Sequence, residues 1–246
     1  MARLARLAAL GIATVVVLGA PGVASADAIN LVTNGDFSAG FSGFTSPDYT
    51  YRAPNQGDRN LWDPGVFSVD TSAFNDHSSW ETGADHTGGG NFMLVNGSTD
   101  NPVDPSTGLP KPSVTWSETV TTVPGTLYAY SFWSKNLCCL PSAPGWTGNE
   151  FGPDLSFWIN GLQIGQGLTG AAGLWFQLSG SFLANSTDAL LQIKDGSTLY
   201  GAGNDFGLDD ISLTAVPTPE PASLALLGTG ALLAWRERRR RQRNRA

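Results

Sequence analysis

The sequence predicts an all-β chain, an antiparallel β-sandwich of jelly-roll type with a short apolar segment at each end. Two observations carry the prediction. Between residues 27 and 215, short runs alternate apolar and polar side chains with period two, and no segment sustains a helical period. Gly, Pro, Asn and Ser clusters then punctuate those runs, as turns between strands require.

The elements follow in chain order. Residues 1–26 have the three parts of a secretory signal peptide. Arg3 and Arg6 form a charged start, residues 7–19 an apolar run, and Ala24-Ser25-Ala26 a small-residue cleavage site. Cleavage there leaves Asp27 at the mature N-terminus. The run is short and ends at Pro21-Gly22, which argues against a permanent anchor.

Residues 27–215 form the ectodomain, about the size of one sandwich with its own core. Strands are expected at 29–33, 65–70, 91–96, 113–122, 126–134, 154–160, 174–184, 188–195 and 206–214. Asn160-Gly161, set between Phe157-Trp158-Ile159 and Leu162-Gln163-Ile164, is a strong hairpin signal. Pro124-Gly125 predicts a second turn, pairing 113–122 with 126–134. A weak internal echo links that unit to 174–184 and 188–195, as expected where two sheets face each other.

Composition narrows the chemistry. The whole chain has a formal charge of −7, but the ectodomain alone carries 19 acidic side chains against five basic ones, a net charge of −14. Nucleic acid is therefore excluded as a partner and anionic polymers are disfavoured, while divalent cations and neutral glycans fit. The two cysteines, Cys138 and Cys139, are neighbours. Adjacent Cα atoms lie about 3.8 Å apart, closer than ordinary disulfides prefer, so a strained vicinal bridge, free thiols and an intermolecular link all stay open. No Gly-x-Ser-x-Gly elbow, phosphate loop or spaced metal motif is present. Asp76, His77, Glu81, Asp85 and His86 form the densest group of ligand-capable side chains, but their spacing in a Gly- and Ser-rich loop reads as turn capping.

Alternation also sorts the tryptophans. Trp116 shares a face with Val114 and Val120 and belongs to the core. Trp158 lies opposite Leu155, Phe157 and Ile159, and Trp175 lies opposite Leu174, Phe176 and Leu178. Trp158 and Trp175 are thus candidates for a shared aromatic platform on which sugar rings stack.

The last thirty residues read as three blocks. Residues 216–221 are a Pro-rich linker, 222–235 an uncharged apolar segment, and 236–246 a basic tail with seven arginines. Pro219-Glu220-Pro221, the apolar run and the arginines together resemble the PEP-CTERM sorting signal, a bacterial tag processed by an exosortase. The resemblance implies an exported protein, held by 222–235 as a membrane segment with its tail cytoplasmic and then passed to the cell surface or beyond. The uncharged run 221–235 is about 22 Å long as a helix, against an apolar bilayer core of about 30 Å; snorkelling arginine stems make up the difference.

The ectodomain's ends carry a second resemblance. Asn30-Leu31-Val32-Thr33-Asn34-Gly35-Asp36-Phe37-Ser38 and Phe206-Gly207-Leu208-Asp209-Asp210-Ile211-Ser212-Leu213 look like galactose-binding-like jelly rolls, a superfamily with many carbohydrate-binding modules. It implies a structural calcium pinning the first strand to the last through Asp36, Asp209 and Asp210. Ser38 stands where such relatives carry Glu, and amide hydrogen bonds near Asn34-Gly35 would serve Asp209 equally well. The expected function is a non-catalytic module associated with glycan or exopolysaccharide. The alternatives are a hydrolase or lyase on the same scaffold, or a ligand-free structural surface protein.

Overall fold

The computed structural model describes residues 29–54, 56–80, 83–97, 102–108, 111–138, 152–168, 172–197, 204–217 and 221–244. The signal peptide, residues 139–151 and the Pro219-Glu220 part of the sorting motif lie outside the described residues.

Among the described residues ten strands build two sheets: β1 (Thr50–Tyr51), β2 (Val66–Asp70), β3 (Phe92–Asn96), β4 (Ser113–Thr121), β5 (Leu127–Asn136), β6 (Asp154–Ile159), β7 (Leu162–Leu168), β8 (Trp175–Leu183), β9 (Asp188–Asp195) and β10 (Phe206–Ala215). One sheet has six strands in the order β1-β2-β3-β10-β5-β8, and the other has four in the order β4-β9-β6-β7. Pairing is antiparallel throughout except between β1 and β2. A short helix, α1 (Ala73–Asp76), follows β2, and a long one, α2 (Pro221–Arg243), closes the chain.

The inward faces interdigitate as period-two alternation requires. Trp116, Leu155, Phe157, Leu191 and Ile193 of the four-stranded sheet meet Phe67, Met93, Tyr130, Phe132, Leu208 and Leu213 of the six-stranded one. A second core lies on the outer face of the six-stranded sheet, where Leu61, Ala73 and Trp80 cover Val66, Phe92, Leu94, Leu137 and Cys138. Cys138 is disulfide-bonded, and Cys139 lies outside the described residues.

Two expectations are corrected. Residues 29–33 form no strand. Asn30 instead mimics a ladder partner, donating from Nδ2 to the Ile211 carbonyl at 3.0 Å while its Oδ1 accepts the Leu213 N–H at 2.9 Å. Pro124-Gly125 does not close a hairpin either. β4 pairs with β9 and β5 with β8, so each turn carries the chain from one sheet to the other. The echoing units therefore pair with each other, strand for strand. The Asn160-Gly161 hairpin is present as read, with both residues at positive φ, 50° and 80°.

Candidate functional site

The outer face of the four-stranded sheet is polar and uncovered by any other described element. Register fixes what stands on it. Gln163 of β7 lies opposite Trp158 of β6, Trp158 opposite Gln192 of β9, and Gln192 opposite Ser117 of β4. A second row runs Gln166, Ser156, Lys194 and Val114 across the same strands, because a bulge between Val114 and Trp116 turns Val114 away from the Trp116 face expected for it. Four strands at ordinary spacing make each row about 15 Å long. β-Strand alternation drives this arrangement, because Leu155, Phe157 and Ile159 are buried on the other side of β6.

Local bonds hold these side chains in place. The Trp158 indole N–H donates to Ser156 Oγ at 2.8 Å, fixing the half-buried ring across its own strand. Lys194 Nζ lies 4.1 Å from the centre of that ring. Gln163 Nε2 donates to Gln166 Oε1 at 3.2 Å, and Gln166 Nε2 donates to Asp154 Oδ1 at 2.9 Å. At the Ser117 end the face continues into an open depression of about 500 Å³ lined by Thr33, Thr45, Ser117, Glu118 and Leu190. Burial raises the Glu118 carboxyl's pKa, against the Thr33 N–H that it accepts at 3.0 Å. The face thus presents the amides of Gln163, Gln166 and Gln192, the half-buried Trp158 ring and the Lys194 ammonium set against it.

Trp175 is not part of it. It belongs to β8 in the other sheet and points from the opposite side of the sandwich. Its ring meets Phe92 edge-on at 5.6 Å and His86 at 6.0 Å, with Lys135 Nζ 5.7 Å away. The expected pairing of Trp158 and Trp175 on a single platform is therefore corrected, because odd and even positions set only the face of a strand, not its sheet.

Of the three acids expected to share calcium, Asp36 and Asp210 line one surface depression that Asp209 does not, and each of the three is engaged separately. Asp209 is 1% exposed; its Oδ2 accepts the His86 N–H at 2.8 Å and its Oδ1 accepts the Asp210 N–H at 2.8 Å. Burial still pushes its pKa up to about 7, ahead of the lowering by those amides. Asp210 sits at a β-bulge with φ 47°, which re-aims its carboxylate to His86 Nδ1 at 2.7 Å. Asp36 is exposed and accepts from Ser38 Oγ at 3.0 Å. Among the described residues no three His, Cys, Asp or Glu side chains converge on a metal position. The donors to Asp209 are amides, as the hydrogen-bonded alternative anticipates, although they come from His86 and Asp210 rather than from Asn34-Gly35. Gly35 itself accepts from Ile211 N at 2.9 Å, and a Cβ there would collide with the Ile211 carbonyl.

Alternation did not reveal the histidines' role. Asp85 does cap a turn, accepting from Thr87 Oγ1 and the Gly88 N–H at 2.6 and 2.7 Å. The two imidazoles instead stack. His86 lies 3.7 Å from Trp133, and His77 is layered between Trp62 and Trp80 at 5.1 and 4.6 Å. Trp80 is fully buried and donates from Nε1 to Asp205 at 2.9 Å. The only sequence signal is the presence of five aromatic residues, Trp62, Phe67, Phe74, Trp80 and Phe92, within twenty-five positions of both histidines.

Residues 217–240 match the PEP-CTERM protein-sorting motif, the mark of an exported protein with C-terminal sorting. No curated protein matches the chain in sequence. Solved structures to which the chain is similar include TmCBM61 in complex with β-1,4-galactotriose, at 17% identity over 76% of this chain and 99% of that one, TM-score 0.42. The CBM22-1–GH10 modules of Clostridium thermocellum endo-1,4-β-D-xylanase 10B, complexed with xylohexaose, match at 17% identity over 78% and 29%, TM-score 0.40. A family 16 carbohydrate-binding module matches at 19% identity over 75% and 99%, TM-score 0.37.

Proposed function

We propose that this exported protein binds glycan, without cleaving it, on the outer face of its four-stranded sheet. The observation that supports the reading is the pair of cross-strand rows centred on Trp158, where an immobilised indole is flanked by Gln163, Gln166 and Gln192. Indole faces suit the C–H surface of a sugar ring, and amides donate and accept as hydroxyls require. Asp76, Asp195, Asp205 and Asp209, whose pKa burial raises to about 6 or 7, are buried in the interior, and Glu118, the raised carboxyl beside the face, is bonded to the Thr33 N–H. That placement favours a binding module over a hydrolase. Binding on a glycan array without release of reducing sugar supports the reading; turnover, or equal binding by Trp158→Ala, would remove it.

Delivery completes the proposal. α2 (23 residues, about 34 Å) continues unbroken from the apolar block into the arginines, with Glu237 bonded to Arg241 at 3.1 Å and Arg239 over the Trp235 ring. No helix among the described residues is long and apolar enough to cross a membrane. Yet Leu227, Leu232, Leu233 and Trp235 are exposed. We take their cover to be lipid, with the arginines at the cytoplasmic surface and an exosortase-type enzyme acting at Pro219-Glu220-Pro221. Replacing those three residues with alanine is expected to keep full-length protein in the membrane fraction. Trimming and release like the unaltered protein would contradict it.

A further inference from the structure

The ectodomain has only five cations, and their placement is uneven. Arg52 pairs with Asp63 at 3.3 Å, Arg59 caps Trp62 at 4.8 Å, and Lys135 is buried beside Trp175. The remaining two, Lys111 and Lys194, belong to one side of the four-stranded sheet. Lys194 projects beside Trp158 in the second polar row, and Lys111 lies two residues before β4, the strand whose Val114 faces Lys194. Among the described residues neither ammonium has a carboxylate within ion-pair distance.

Nearby acids keep their negative charge, but among the described residues none lies within ion-pair distance of either ammonium, and each is bonded elsewhere. Asp48 Oδ2 accepts the Val114 N–H at 2.6 Å, Asp104 Oδ1 accepts from Ser106, and Asp154 Oδ1 accepts from Gln166. Burial lowers the Lys194 pKa, Lys111 lowers it further by repulsion, and Asp48 opposes both. Lys194, partly desolvated and set against the Trp158 ring without an ion-pair partner among the described residues, is the charge on this face that a ligand anion would meet. The domain's overall negative charge does not cancel it, because screening confines each field to about 8 Å at physiological salt.

We propose that the glycan bound on the Trp158 face is acidic, with a carboxylate-bearing sugar ring stacked on Trp158 and its carboxylate held by Lys194 and Lys111. The inference rests on the glycan reading above. The carboxylate draws Lys194 Nζ off the indole plane and the ring takes its place, so one movement both uncovers the stacking surface and pairs the charge. The amides of Gln163, Gln166 and Gln192 are left for the hydroxyls.

Affinity electrophoresis and calorimetry with polygalacturonate, alginate and hyaluronate, each beside its carboxyl-esterified form, test this. At least one free acid is expected to bind on the order of tenfold more tightly than its ester. That margin should shrink as salt rises, and Lys194→Gln should erase it while leaving the melting temperature in place. Lys111→Gln should take away part of it. Equal affinity for acid and ester overturns the inference. So does failure of all three acids while a neutral glycan binds in a Trp158-dependent way, and in both cases the glycan reading itself survives. Binding that Trp158→Ala leaves unchanged overturns both.

Discussion

The two outer faces of the sandwich are built from the same kind of strand and end in opposite states. On the six-stranded sheet, Leu61, Ala73 and Trp80 pack over Val66, Phe92 and Leu94 with Trp175 against this second core, and His86 stacks on Trp133. On the four-stranded sheet no other described element lies over Trp158, which is half-buried beside Lys194, and Gln163 and Gln166 are exposed, while Ser117 and Ser156 of the same rows are buried. An aromatic residue pointing away from the main core is therefore no sign of a binding site. What separates the two cases is whether another segment of the chain has already taken the aromatic face.

The largest expected effect is common to the buried carboxyls of both sheets. Burial raises Asp76 and Asp205 to about 6 and Asp209 to about 7, and Asp195 at the end of β9 also to about 7. Their unfolded values lie near 3.8, so the folded state holds protons more tightly in between. Stability from these groups is then complete below about pH 4 and is lost as pH rises through 6 to 7. Melting temperature should decline from pH 5 to pH 8, and Asp205→Asn should flatten the decline. A profile that rises over this range would contradict the burial assigned to them.

Trp80→Ala comes next. It empties a fully buried indole site and leaves Asp205 without its side-chain donor, for a loss of about 3–5 kcal/mol in denaturant unfolding. His86→Ala removes the stack on Trp133 and the Asp210 bond, both half-exposed, and should cost less, about 1–2 kcal/mol. The smallest effect concerns metal. Because amides already satisfy Asp209, excess chelator should leave the melting curve in place; a fall of several degrees would restore calcium at Asp36, Asp209 and Asp210.

The contrast also explains what the sequence could reveal. Period-two alternation placed β9 at its observed bounds and put Trp116 inside and Trp158 outside, because those depend only on the strand's own pleat. The Asn160-Gly161 hairpin was legible because type and spacing of two residues suffice. Sheet membership was not: Pro124-Gly125 reads the same whether it closes a hairpin or turns a corner between sheets, and only long-range register decides. The same ignorance joined Trp175 to Trp158. The layered Trp62–His77–Trp80 group escaped because it sits in a loop, where no period reports which side chains meet.

The central claim is that one face binds and the other holds the fold together. Comparing Trp158→Ala with Trp175→Ala, measuring glycan retention and melting temperature on the same preparations, tests it most directly. The account predicts that Trp158→Ala loses retention with little change in melting temperature, while Trp175→Ala melts several degrees lower and, when folded, still binds. Loss of binding confined to Trp175→Ala, with Trp158→Ala behaving as the unaltered protein, would contradict it.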